Sequence, residues 1–328
     1  MNLATATAAI AYYLDVDQPT FTWGPPGVGK SAAVRSIAKG RKWNVIDFRC
    51  STRDPVALMG LPDLAGETTR WKVPDEFPQV ERDGPEGILF LDELNVAAPS
   101  MQAAAFGLVL DRRVGEYVLP KGWRVLAAGN RQSDKAAAQR MPSALANRFA
   151  HIDIEPDIDT FVQWANTSGV DPLVMGFIRF RPALLHSMEG SDLRAFPTPR
   201  AWEAVSKVVD APEEIRLSLV TGLVGEGAGA EFEGFIRTRK NLPTVEEVVK
   251  HPETAKLPTE PAARYAIAAA LSHGATPEIF EPIQKYLRRL PREFEVMATV
   301  DALLRNGALA KTQAFREWAV RNQDVTFN

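Results

Sequence analysis

Gly24-Pro25-Pro26-Gly27-Val28-Gly29-Lys30-Ser31 has the residue types and spacing to cradle a chain of phosphates, fitting G-x-x-x-x-G-K-[ST] in full. Glycines let the backbone turn tightly enough for its N–H groups to point inward at anionic oxygens. Lys30 can then reach the terminal phosphates, and the Ser31 hydroxyl can coordinate Mg²⁺. Ala32 opens a helical stretch whose positive N-terminal end faces the same anion. The competing reading of Gly24 to Ala32 is a chance Gly-Pro turn before a helix. The strand candidate before the loop and the helix after it argue for the phosphate cradle.

Two further strand tips carry polar groups. Ile88-Leu89-Phe90-Leu91-Asp92-Glu93 is an apolar run ending in two carboxylates. A buried parallel strand that ends in acid places its charge at the carboxyl edge of the sheet, where ligands bind. Asp92 there would hold the Mg²⁺ shell through water, and Glu93 would orient and deprotonate an attacking water. The plainer alternative is that both acids cap the following helix. Val125-Leu126-Ala127-Ala128-Gly129-Asn130 is a second such run. Its terminal amide, Asn130, can hydrogen-bond a γ-phosphate or the attacking water. Gly-Asn is also a common turn pair, and it is the position after the acidic strand that favours the functional use.

These residues need a sheet to bring them together. Short β-rich runs at Thr20–Trp23, Asn44–Phe48, Gly87–Leu91, Arg124–Ala128 and His151–Ile154 alternate with helical stretches, the pattern of an α/β layered domain over residues 1–155. After Glu155-Pro156 the periodicity is helical, broken by Pro and Gly. It predicts helices at Asp159–Asn166, Pro172–Arg181, Pro199–Val209, Glu213–Leu223, Pro261–Leu271, Pro277–Arg289, Glu293–Arg305 and Lys311–Val320.

Composition narrows the function classes. Hydrophobic content of 45% with 24% charged residues excludes wholesale disorder. With 38 Lys and Arg against 41 Asp and Glu the net charge is −3, against the basic excess usual in nucleic-acid binders. The single cysteine, Cys50, leaves no intrachain disulfide and no Cys-based zinc site, and the four histidines lack metal-ligand spacing. Met1 to Leu14 is apolar without a basic leader and reads as a first helix, and no run reaches the about 18 apolar residues of a membrane span. A cytoplasmic setting is the simplest expectation.

In this order the elements resemble an AAA+ ATPase of the MoxR-like, dynein-related branch. Several stretches carry the resemblance over residues 20–225: Leu91-Asp92-Glu93-Leu94-Asn95 with Gln102-Ala103-Ala104, Asp54-Pro55-Val56-Ala57-Leu58-Met59-Gly60, and Arg113-Val114-Gly115-Glu116-Tyr117-Val118-Leu119. Ser143-Ala144-Leu145-Ala146-Asn147-Arg148-Phe149 and Thr198-Pro199-Arg200-Ala201-Trp202 complete the set. The resemblance implies ATP and Mg²⁺ as cofactors and a P-loop NTPase core of parallel sheet between helices over 1–155. It further implies an α-helical lid over 156–225, with a helical C-terminal extension over 226–328. It makes Arg148 an arginine finger acting on a neighbour's ATP, with Arg140 a competitor that sequence does not separate from it. Arg200 becomes a second sensor. A cation at a helix start opposes the dipole, which points to an external anion or to an ion pair with Glu203 or Glu155.

A finger acting in trans implies a homo-oligomer, for which the family gives a hexameric ring, a client protein and a VWA-domain adaptor. The segment Thr52 to Pro78 and the hairpin from Arg112 to Trp123 would contact that client. Trp71, Phe77 and Tyr117 are candidates to grip it, against ordinary core packing. The basic runs Arg237-Thr238-Arg239-Lys240 and Lys285-Tyr286-Leu287-Arg288-Arg289 are read as solvated helix faces. Two rival functions stand beside this one: a nucleic-acid-stimulated motor, and a nucleotide-gated assembly scaffold with little turnover.

Overall fold

Because side chains alternate across a strand, each apolar run of residues 1–155 has two faces to bury. The computed structural model describes residues 1–134, 139–188 and 194–325, and its chain divides into two units, Met1–Pro156 and Asp157–Asn328. The first unit opens with α1 (Leu3–Asp15), β1 (Thr20–Trp23), α2 (Lys30–Arg41) and β2 (Asn44–Arg49). An excursion follows through α3 (Val56–Met59), β3 (Leu61–Asp63), β4 (Arg70–Lys72) and α4 (Val80–Asp83) before β5 (Glu86–Asp92). Then come α5 (Pro99–Leu110), the hairpin β6 (Arg113–Val114) and β7 (Tyr117–Val118), β8 (Gly122–Gly129), α6 (Ser143–Ala146) and β9 (Ala150–Asp153).

The sheet runs β2-β5-β8-β1-β9, with every pairing parallel. Leu89, Leu91, Val125 and Ala127 share one core with Met101, Ala105 and Leu108 of α5. Their sequence neighbours Ile88, Phe90, Leu126 and Ala128 share the opposite core with α1 and α2, including Ile10, Leu14, Val34 and Ile37. Both faces are therefore covered, as a parallel sheet requires. All five expected strands are present, and the architecture is the predicted parallel sheet between helices followed by a helical region. The carboxyl ends of β5, β8 and β1 lie side by side, and the polar tips Glu93 and Asn130 and the loop start Gly24 follow directly from them.

The second unit comprises α7 (Ile158–Ser168), α8 (Pro172–Phe180), α9 (Pro199–Ser206), α10 (Glu213–Val224), α11 (Glu226–Thr238), α12 (Val245–Lys250), α13 (Pro261–Gly274), α14 (Phe280–Leu287), α15 (Arg292–Arg305) and α16 (Gln313–Arg321). No strand occurs among its described residues. Phe177, Trp202 and Phe232 form the aromatic centre of one core, with ring centroids 5.1 Å apart for Phe177–Phe232 and 5.5 Å for Trp202–Phe232. A second core gathers Leu271, Phe280, Tyr286 and Phe294. Helices α10 and α11, on either side of residue 225, both contribute to the Trp202 core.

Two helices, α11 and α12, lie outside the eight expected. Gly227, Gly229 and Gly234 weaken the helical signal of α11, yet Gly229 is what lets it approach α10. A Cβ there would sit 2.5 Å from Thr221 Cγ2 and 3.1 Å from its Cα. Tertiary packing overrides propensity here. The basic runs are partnered within the unit, as expected of solvated faces. Lys240 pairs with Glu213 at 2.9 Å, Lys285 with Glu281 at 2.9 Å and Arg288 with Glu317 at 3.5 Å.

Candidate active site

The phosphate-loop candidate leaves β1 and enters α2. Gly27 and Gly29 have φ of 77° and 103°, in the left-handed region that a side chain would make costly. α2 carries no acidic residue in its first turn, so nothing in that turn neutralises the positive helix end. The Lys30 ammonium turns back over its own loop. It donates to the carbonyls of Gly24 (2.6 Å) and Pro25 (3.1 Å) and to Asn130 Oδ1 (2.9 Å). Ser31 Oγ lies 3.5 Å from Asp92 Oδ2. Thus Lys30, Ser31, Asp92 and Asn130, read from three separate motifs, converge at neighbouring strand ends.

Asp92 is 7% exposed. Burial pushes its carboxyl pKa up, and the nearby carboxylates of Asp47 and Glu93 push the same way against Arg49 and the Glu93 N–H. Arg49 approaches Asp92 at 3.8 Å, but its side chain is 54% exposed and well solvated, so the pairing is weak. Ser31 and Asp92 fit a Mg²⁺ ion, which takes few protein ligands and fills its octahedral shell with phosphate and water. Among the described residues no group of three or more His, Cys, Asp or Glu side chains could hold a metal by itself. Cys50 is buried beside these acids. Desolvation first, then Asp92 and Glu93, raises its thiol pKa and keeps it protonated.

Glu93 stands at φ 57°, a strained value for a residue with a side chain. Its carboxylate accepts a hydrogen bond from the Ser51 hydroxyl, beyond the end of β2. Asn95, 1% exposed, accepts from the Asn130 N–H at 3.2 Å through Oδ1 and donates to the Asn130 carbonyl at 2.7 Å through Nδ2. Sequence reasoning missed Arg49, Ser51 and Asn95 as site residues. Asn95 belonged to a quoted motif, but nothing in its spacing announces a partner 35 residues away.

Among the described residues of the first unit, neither Arg148 nor Arg140 pairs with a member of this cluster. Arg148, between α6 and β9, is half-buried, and its Nε is buried without a hydrogen-bond partner. Among the described residues its guanidinium has no ion pair, while its carbonyl accepts from Gln18 Nε2 at 3.1 Å. Arg140 is exposed. Arg200 lies in the first turn of α9, also exposed, and among the described residues it has no ion pair with Glu203 of the same helix.

Two of the three candidate gripping aromatics are excluded from that use. Phe77 is fully buried and stacks on Tyr117 with centroids 4.5 Å apart. Tyr117 itself is 7% exposed and donates to the Pro78 carbonyl at 2.9 Å. Burial of a large ring with its hydroxyl satisfied is the signature of core packing. Trp71 is 37% exposed on β4, with its N–H 3.4 Å from Glu116 Oε1 of the β6–β7 turn.

A family match agrees with this geometry. Residues 20–155 match the ATPase family associated with various cellular activities (AAA). A stretch of 154 residues, 44% of the chain, is 27% identical to Midasin of Giardia intestinalis, and the chain spans 3% of that protein's length. Among solved structures, NtrX from Brucella abortus is similar at a TM-score of 0.37 and 12% identity, over 99% of this chain and 68% of that one. A point mutant of Thermotoga maritima RuvB is similar at a TM-score of 0.38 and 14% identity, over 76% of this chain and 75% of that one. Residues 20–155 form an AAA+ ATPase domain, the kind that binds Mg-ATP and hydrolyses ATP.

Proposed function

We propose that this AAA+ domain drives a cytoplasmic ATPase of the MoxR type, a hexameric ring that remodels or matures a client protein complex with a VWA-domain adaptor. The observation that carries the ATPase part is the meeting of Lys30 with Asn130 and of Ser31 with Asp92 at adjacent strand ends. Lys30, held by the Gly24 and Pro25 carbonyls and Asn130, is placed to exchange them for phosphate oxygens. Mg²⁺, when bound, would neutralise charge on those oxygens, held by Ser31 and through water by Asp92. Glu93 would take a proton from the attacking water once its carboxylate leaves Ser51. Asn130 would orient that water or the terminal phosphate.

The ring rests on Arg148. A half-buried guanidinium without an ion-pair partner among the described residues suits an anion supplied by a neighbouring subunit, and head-to-tail contacts close into rings. The assignment of Arg200 to the second sensor, the lid over 156–225, the extension over 226–328, the six-fold count and the adaptor all rest on the family resemblance. Ion-paired basic runs support a protein client over nucleic acid.

The test is the solution mass of Glu93→Gln with and without Mg-ATP. Removing the base while leaving the cradle intact should trap ATP and shift the mass to about six subunits. A variant that binds ATP and stays monomeric refutes the ring for this chain and Arg148 as a finger.

A further inference from the structure

Asn95 joins three segments that the proposed reaction uses. Its side-chain amide exchanges two hydrogen bonds with the backbone of one residue, Asn130, as an opposing residue of an antiparallel strand would. Its own carbonyl accepts from the Gln139 N–H at 2.8 Å, on the chain leading to α6 and Arg148. Beside it, the Leu94 N–H donates to the Ala128 carbonyl at 3.1 Å. The loop carrying Glu93 is thereby laced to the tip of β8. Gly129 is shaped to this contact, since a Cβ there would fall 1.9 Å from Asn95 Oδ1.

Asn130 needs such a hold. It is the first residue beyond β8, so the strand ladder no longer fixes its peptide groups. Its side-chain oxygen must nevertheless stay within reach of Lys30, 2.9 Å away. The Asn95 amide binds both backbone polar groups of Asn130, which leaves its side chain as the part free to respond.

We propose that Asn95 is a positioning residue for ATP hydrolysis: its amide fixes the backbone of Asn130 and so aims the Asn130 side chain at Lys30 and the terminal-phosphate end of the site. This rests on the ATPase reading above. Asn95 touches no reacting atom; it acts through Asn130. A buried amide that only supports the fold would weaken stability and nucleotide binding together, whereas a positioning residue is felt in turnover.

The experiment is a double-mutant cycle, Asn95→Ala and Asn130→Ala singly and together, read as kcat and KM for Mg-ATP, affinity for a fluorescent ATP analogue, and melting temperature. Loss of two neutral hydrogen bonds predicts a fall in kcat of about ten-fold for Asn95→Ala, with nucleotide affinity held within about two-fold. In the Asn130→Ala background Asn95→Ala should lower kcat no further, because the pair acts as one unit. Gly129→Ala, which displaces the Asn95 amide from the other side, should reproduce the kcat loss and decides the matter if Asn95→Ala does not fold. Equal losses in both backgrounds, or a loss of affinity as large as the loss of rate, overturn the proposal while a wild-type chain that turns over ATP keeps the ATPase reading. A wild-type chain that neither binds nor hydrolyses ATP overturns both.

Discussion

Asp92→Asn should stabilise the nucleotide-free protein at alkaline pH and cripple its response to Mg-nucleotide. Burial, then Asp47, then Glu93 raise the Asp92 pKa, and Arg49 offsets them only in part. A carboxyl group whose folded pKa lies above its unfolded value holds its proton more tightly when folded. Its contribution to stability is therefore full below the unfolded pKa of about 3.9 and is lost as pH rises through the raised value. Asparagine keeps the shape and the acceptor for the Glu93 N–H, 3.0 Å away, and removes the charge. The competing loss is small, since the Arg49 contact is long and half-solvated. Relief of one unfavourable site charge is worth about 1 kcal/mol, or about 2–4 °C of melting temperature for a unit of this size.

Differential scanning fluorimetry in chelator, stepped from pH 8 down to the unfolded carboxyl value of about 3.9, measures the effect. The variant should melt higher than wild type at pH 8, and the gap should shrink as the pH falls through the raised value and wild-type Asp92 takes up its proton. Added Mg-ADP should then reverse the order at pH 8. A ligand at 100 times its Kd stabilises wild type by about 2.7 kcal/mol, and a variant lacking the Mg²⁺ carboxylate should gain little. A variant that melts below wild type at pH 8, or above it by the same margin across the whole pH series, refutes the account of Asp92 as a charge held at a cost.

Arg148→Ala should lower kcat by about 10³-fold with nucleotide affinity retained, and Arg140→Ala should leave kcat nearly unchanged, measured by steady-state turnover. The opposite ranking transfers the finger to Arg140. In the helical unit, Asp301 is 2% exposed and pairs with Arg179, whose Nη2 donates to it at 2.9 Å, while Asn166 donates at 3.1 Å. Asp301→Ala strands that arginine and should cost about 3–5 kcal/mol in urea unfolding followed by tryptophan fluorescence. A loss under 1 kcal/mol would mean that Arg179 finds water.

What the sequence made legible was local. The phosphate loop is contiguous, so its types and spacing declare it, and the strands β1, β5 and β8 announce themselves as runs buried on two faces, with the edge strands β2 and β9 beside them. What it hid was relational. Ser51 meets Glu93 across 42 residues, and Asn95 meets Asn130 across 35, at separations that no periodicity reports. Phe77 and Tyr117 lie in segments expected to contact a client, yet they stack together in the core. An aromatic in such a segment carries no local mark of the side it faces. Helix α11 was masked by its glycines, and the use of one of them, Gly229, in close approach to α10 exists only in the packed unit.

The end of β5 concentrates unfavourable features. Glu93 has a left-handed backbone, which costs roughly 1–2 kcal/mol, and Asp92 has its charge held against burial. Such strain persists only where the surroundings over-determine it. Here the surroundings are the Leu94 N–H on the Ala128 carbonyl and the Asn95 amide on Asn130, the same contacts that tie the acidic loop to β8. Under the proposed function, binding would draw Lys30 from Asn130 toward phosphate and Mg²⁺ would quiet the charge on Asp92. Both changes reach the Asn95 junction through one or two contacts, and from its carbonyl the chain runs on through Gln139 toward Arg148. The hydrogen bonds that hold the strained loop are thus also a short physical route from nucleotide occupancy to the proposed subunit contact. Breaking that route at Asn95 should change turnover more than binding.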